Sequence, residues 1–163
     1  MPDRADRPPY VDEHSIEVEA GADATWEAVL RVAERSTGSG GGSRAARLLG
    51  CADVEASGPR PLAVGSAFPG FHVETAERPR ELALAGRHRF SDYLLTFRID
   101  DLGDGRTRLR AETRAEFPGQ KGRIYRALVI GTRGHVLAVR RMLGTAKRRA
   151  EAIGRAPGYS AVP

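Results

Sequence analysis

The chain has 163 residues, long enough for one domain with a real hydrophobic core and too short for two full ones. Hydrophobic residues make up 40% and charged residues 29%, which excludes a disordered or membrane-embedded composition, and no apolar run approaches the roughly 20 residues that span a bilayer. The net charge of +5 permits anionic partners without demanding them, and a single cysteine, Cys51, excludes an intrachain disulfide and any multi-cysteine metal site.

The start of the chain, Met1 to Pro9, is charged and proline-rich, unlike a signal peptide, so a cytoplasmic location is expected. Residues 1–13 and 154–163 are expected to be flexible tails around one domain at 14–153. From His14 to Ala20, apolar Ile16, Val18 and Ala20 alternate with polar Ser15, Glu17 and Glu19, the period of a half-buried first strand. Asp23 can cap a following helix whose Trp26, Val29, Leu30 and Ala33 share one face. Thr37 to Ser43, almost pure Gly and Ser, reads as a tether, and Arg44 to Leu49 as a short helix ended by Gly50.

From Val64 to Phe117 the pattern becomes an antiparallel meander, broken at Pro69-Gly70, Arg78-Pro79, Ser91-Asp92 and Gly103-Asp104-Gly105. Its clearest strand is Arg106 to Phe117: Thr107, Leu109, Ala111, Thr113, Ala115 and Phe117 form one face, and charged residues form the other. After Pro118-Gly119 one long helix is predicted to about Ala152, kinked near Gly131 and Gly134. Its inner stripe comprises Tyr125, Leu128, Val129, Thr132, His135, Val136, Val139, Met142, Leu143 and Ala146.

The order strand, two helices, meander, long C-terminal helix resembles the helix-grip fold. Ser15-Ile16-Glu17-Val18-Glu19-Ala20 followed by Ala24-Thr25-Trp26-Glu27-Ala28-Val29 resembles the opening of SRPBCC proteins, the START-like superfamily that includes polyketide cyclases, lipid-transfer domains and the birch-pollen allergen. Val64-Gly65-Ser66, the turn at Gly103-Asp104-Gly105 and the closing helix sit where that superfamily has them, so the resemblance covers about Ser15 to Ala150. It implies an α+β class, a curved antiparallel sheet wrapped around the C-terminal helix with two short helices after the first strand. It also implies a cavity for a lipophilic or aromatic small molecule.

With Ser91-Asp92 as a two-residue hairpin loop, Phe90 pairs with Tyr93, His88 with Leu95, Gly86 with Phe97 and Leu84 with Ile99. Pairing Ile99 with Leu109 on the next strand brings Phe97 to Ala111, Leu95 to Thr113 and Tyr93 to Ala115. Gly86 and Ala111 then flank Phe97 with little volume, which marks either an open cavity or a sheet bend. The expected ligand pocket comprises Phe68, Phe71, His88, Phe90, Tyr93, Leu95, Phe97, Ala111, Thr113, Phe117, Tyr125, His135 and Val139. Phe68, Phe71 and Phe90 read more readily as core than as ligand contacts, and His88 and His135 more readily as partners of backbone carbonyls.

No phosphate-binding glycine loop, serine nucleophile elbow or H-E-x-x-H metal motif occurs, so neither a cofactor nor a metal is expected. His88, His135 and Tyr93 are the candidate catalytic groups, because an imidazole titrates near neutrality and can abstract a proton from a bound carbonyl compound. Three readings stay open: a carrier of a hydrophobic small molecule, a cyclase- or dehydratase-like enzyme, and an interaction protein whose cavity is plugged by Phe97 and Phe117. The basic face of the C-terminal helix (Arg140, Arg141, Lys147, Arg148, Arg149) permits transient membrane contact. Without interleaved aromatics it gives no expectation of nucleic acid, while Ile130 and Leu137 on that side offer a seed for a homodimer.

Overall fold

The computed structural model describes residues 7–38, 41–129 and 133–156. The elements run β1 (Tyr10–Val18), α1 (Ala22–Gly38), α2 (Gly41–Leu49), β2 (Ala67–Phe68), β3 (Phe71–Glu77), β4 (Glu81–His88), β5 (Ser91–Gly103), β6 (Arg106–Glu116), α3 (Gly119–Val129) and α4 (Gly134–Gly154). The strands make one antiparallel sheet in the order β1-β6-β5-β4-β3-β2, and α1 and α4 pack side by side across its inner face. No helix among the described residues is long and apolar enough to cross a membrane.

Strand β6 shows why the layers separate. Its Thr107, Leu109, Ala111, Thr113 and Ala115 are buried, while Arg108, Arg110, Arg114 and the other alternate residues point outward. On the outer face opposite charges meet across strands: Arg98 contacts both Glu81 and Glu112, and Arg110 contacts Asp100. On the inner face Leu109 and Ala111 join Val18, Val29, Leu82, Phe97, Val139 and Leu143 in the core. Two buried threonines in this layer are satisfied: the Thr25 and Thr107 hydroxyls lie 2.9 Å apart, and Thr107 donates to the Ala20 carbonyl at 3.1 Å.

Several expectations are corrected. Strand β1 starts at Tyr10 rather than His14, with a bulge between Tyr10 and Asp12 that sets Asp12 opposite Thr113 and His14 opposite Ala111 on the inner face. The glycine-rich stretch is mostly helical, α1 reaching Gly38 and α2 resuming at Gly41. The final helix is broken rather than kinked: α3 ends at Val129, and α4 begins after Arg133, whose φ of 58° is left-handed and cannot continue a helix. Ile130, Gly131 and Thr132, and the side chains of Tyr125, Leu128 and Val129, lie outside the described residues. Leu137 is exposed on α4, as its outward position predicts.

The β5–β6 register agrees with the sequence pairing, Leu95 to Thr113 and Phe97 to Ala111 included. The β4–β5 hairpin does not. Its loop is Arg89-Phe90 rather than Ser91-Asp92, so His88 pairs with Ser91, Gly86 with Tyr93, Leu84 with Leu95 and Leu82 with Phe97. The Phe90 N–H donates to His88 Nδ1 at 3.1 Å, closing the turn without the usual turn residues. Partners shift by an even number of residues, so every side chain keeps its face.

Leu109 has no solvent exposure and stands at the centre of this layer. Leu109→Ala is expected to lower the unfolding free energy by about 2–5 kcal/mol in urea titration. Arg108→Ala, which removes the exposed pair with Glu17, is expected to cost less than about 1 kcal/mol.

Candidate functional site

The corrected register moves the empty space. Phe97, opposite Leu82 and Ala111, is buried and fills the layer that was expected to be open, and Phe68 is buried in the same core. Phe90 sits in the hairpin loop. These three aromatics and Ala111 are not among the described residues that line the cavity near the β4–β5 hairpin.

The cavity lies further toward the hairpin, with a volume of about 400 Å³. Of the residues expected there, Phe71, His88, Tyr93, Leu95, Thr113, Phe117, His135 and Val139 line it together. The sequence reading missed the wall formed by Ala45, Ala46 and Leu49 of α2 with Cys51 beyond it, and also Ser91, Ala115, Ala138 and Met142. In α2, Ala45 and Leu49 are four residues apart and so share a face, a signal obscured by the glycines before them. Recesses on the outside of the protein are walled by charged groups such as Arg87, Asp92 and Glu116, or Arg80, Glu81 and Arg98, and lack this apolar lining.

Backbone bonds set the α2 wall and the segment after it against the β4–β5 hairpin and the β2–β3 turn. The Arg89 N–H donates to the Leu49 carbonyl at 3.2 Å, Ala52 N–H to the Arg87 carbonyl at 2.9 Å, and Gly70 N–H to the Asp53 carbonyl at 2.8 Å. Gly86 explains the position of Tyr93. A Cβ there would lie 2.2 Å from the Gly70 carbonyl oxygen and 2.4 Å from Tyr93 Cε2, so only glycine lets the tyrosine ring lie across the strand. The Tyr93 hydroxyl donates to that same carbonyl, and its ring meets Phe71 edge-on at 5.1 Å. Gly86 thus admits a ring rather than leaving a void.

Two polar clusters interrupt the apolar lining. In the first, His88 accepts the Phe90 N–H at Nδ1, so its ring proton resides on Nε2. Burial lowers its proton affinity below the ordinary value, against the opposing pull of Asp92, and favours the neutral ring. Nδ1, already used, is not a base toward a ligand. Burial also pushes the Cys51 thiol up, with Asp53 adding and the nearby Tyr93 opposing, so Cys51 is a poor thiolate nucleophile.

In the second cluster, His135 Nε2 lies 3.0 Å from Thr113 Oγ1 and 3.5 Å from Asp12 Oδ1. The other oxygen of Asp12 lies 3.4 Å from His14 Nε2. Asp12 and His14 were unreadable from the sequence, because two polar residues on the inner face end the apolar alternation just where the strand continues. Among the described residues no group of three His, Cys, Asp or Glu side chains is arranged to hold a metal ion.

No family model matches the sequence, and no curated protein does. Solved structures do match it in shape. Truncated norcoclaurine synthase from Thalictrum flavum superposes with a TM-score of 0.56 at 14% identity, over 91% of this chain and 97% of its own. A point mutant of norcoclaurine synthase from the same plant, in complex with a transition-state analogue, gives 0.52 at 17% identity over 86% and 95%. A conserved protein from Geobacillus kaustophilus gives 0.50 at 16% identity over 86% and 94%.

A six-stranded antiparallel sheet closed by a C-terminal helix, with two helices inserted after the first strand, is a helix-grip fold. In that architecture the chain is similar to norcoclaurine synthase. At these identities the likeness is one of fold, and function has to be argued from the site.

Two outcomes test this geometry. Gly86→Ala is expected to destabilise the protein by about 1–3 kcal/mol through overpacking against Tyr93 and the Gly70 carbonyl, measured by thermal or urea unfolding. Because the folded state lowers the proton affinity of His88, the unfolded chain takes up that proton first as pH falls. The His88 contribution is therefore complete above its ordinary value of 6.5 and is lost on acidification through and below it. Urea midpoints between about pH 7.5 and about pH 5.5 should fall less steeply in His88→Gln than in the wild type.

Proposed function

We propose that the chain binds a hydrophobic or aromatic small molecule in the cavity between α2, the β4–β5 hairpin and α4. The observation that carries this reading is the lining itself: about 400 Å³ walled by alanine, leucine, valine, methionine and aromatic side chains, with only a few polar groups at its edges. That volume lies within the roughly 300–1,000 Å³ of ordinary small-molecule sites, and sparse polar groups fix a ligand's orientation while apolar walls supply affinity. A cavity plugged by Phe97 is disfavoured, because that ring is committed to the core layer with Leu82 and Ala111.

Native mass spectrometry of freshly purified protein is the direct experiment: a retained adduct identifies the ligand's chemistry. For protein that arrives bare, titration with the dye 1-anilinonaphthalene-8-sulfonate should give saturable fluorescence. Ala115→Trp, which fills the cavity from β6, should weaken dye binding about tenfold or more, equivalent to about 1.4 kcal/mol, while leaving the far-ultraviolet spectrum intact. Unchanged affinity in that variant would place the dye elsewhere and remove the support for this reading.

A second reading, an enzyme acting on the bound molecule, is favoured by the contacts of His135 with Thr113 and Asp12 at the cavity wall.

A further inference from the structure

The geometry points to His135 as the acid–base group of this cavity, with Asp12 as its positioning residue and an apolar compound bearing an acidic C–H as its substrate class. The inference rests on the cavity being a ligand site. It starts from which ring nitrogen is engaged. Both close contacts of His135, to Thr113 Oγ1 at 3.0 Å and to Asp12 Oδ1 at 3.5 Å, fall on Nε2. A carboxylate only accepts hydrogen bonds, so the nitrogen facing it carries the proton and Nδ1 keeps the lone pair. Nδ1 has no hydrogen-bond partner among the described residues, and His135 lines the cavity.

Asp12 is built for this role. The bulge before it turns its side chain to the inner face opposite Thr113, and His14 Nε2 faces its second oxygen at 3.4 Å. Oδ1 is buried without a hydrogen bond of its own, an acceptor aimed at an imidazole that stands slightly beyond bonding distance. Catalytic contacts of this kind are commonly long in an empty site and shorten around a substrate. The arrangement of base and carboxylate orienter is the usual one for an activated imidazole. It also disfavours Thr113 as a nucleophile, since its proton would need an unprotonated Nε2 to receive it.

The reaction this allows is a proton transfer. Nδ1 takes the proton from carbon as the C–H bond breaks, and the electron pair stays with the substrate, delocalised into the unsaturated group beside that carbon, leaving a stabilised anion beside an imidazolium. Return of that proton to the anion restores His135, so no oxidant or second reactant is needed.

The test uses 5-nitrobenzisoxazole, an apolar aromatic probe that reports a base in a cavity. Removal of its ring C–H proton forms the nitrile, breaks the N–O bond and releases a coloured phenolate. Wild-type protein should turn it over with saturation, and the probe should displace 1-anilinonaphthalene-8-sulfonate. His135→Gln should lower kcat about 100-fold or more with KM and dye affinity unchanged. Asp12→Asn should lower kcat about tenfold with KM unchanged, and Asp12→Glu should recover part of that loss. Nitrogen-15 spectra should show His135 as the Nε2–H tautomer in the wild type and as a mixture in Asp12→Asn. An Nδ1–H tautomer in the wild type, or undiminished turnover in His135→Gln, would overturn the inference even with dye binding intact. Dye bound but not displaced would overturn the substrate class. Absence of dye binding and of any adduct would instead overturn the ligand-site reading beneath it.

Discussion

Everything in this fold depends on one strand being paired along both edges. β6 holds β1 on one side and β5 on the other, and joins the first strand of the chain to the meander formed much later. Its two faces do opposite things: arginines and glutamates tie neighbouring strands together in water, while Thr107, Leu109, Ala111, Thr113 and Ala115 meet the helices. Threonine and alanine at most of those inner positions also decide how closely α4 can approach. A helix resting on small residues packs tightly where Leu109 and Phe97 add bulk, and leaves space where they do not.

The inner face is therefore divided along the strands. Toward the Asp104-Gly105 turn, Thr107, Leu109, Ile99 and Phe97 are buried with Val18, Val29 and Leu143. Toward the β4–β5 hairpin, Leu95, Thr113 and Ala115 border the cavity, and polar side chains gather at its edge. Burying His88, Tyr93 and His135 near apolar walls is costly unless their polar atoms have partners, and each has one: the Phe90 amide, the Gly70 carbonyl and the Thr113 hydroxyl. These partners fix the rings, and fixed rings can impose an orientation on whatever shares the space.

How much of this could be read from the sequence follows from what alternation encodes. The period of two along Arg106–Glu116 is strong enough to set both the faces of β6 and its register with β5. The β4–β5 loop misled because Ser91-Asp92 has turn chemistry, whereas the real loop, Arg89-Phe90, closes through a histidine side chain that no turn preference records. Faces survived that error and layers did not, which is why Phe97 and Ala111 were expected at a cavity that belongs to Tyr93 and Leu95. Asp12 escaped notice for a related reason. A polar residue facing inward looks like the end of a strand, and the bulge that turns it inward leaves no mark in the pattern. The break before α4 is only half legible: Gly131 and Gly134 signal weakness, but the left-handed turn falls on Arg133.

Two backbone bonds join α2 and its following segment to the β4–β5 hairpin and a third joins Asp53 to the β2–β3 turn, making these walls a single shell, since separating them would expose amides and carbonyls together. Across the cavity, the first turn of α4 follows a left-handed residue and meets the sheet through the His135 side chain. The start of α4 is thus tied to β6 and β1 by one side chain, where the opposite shell is tied by backbone.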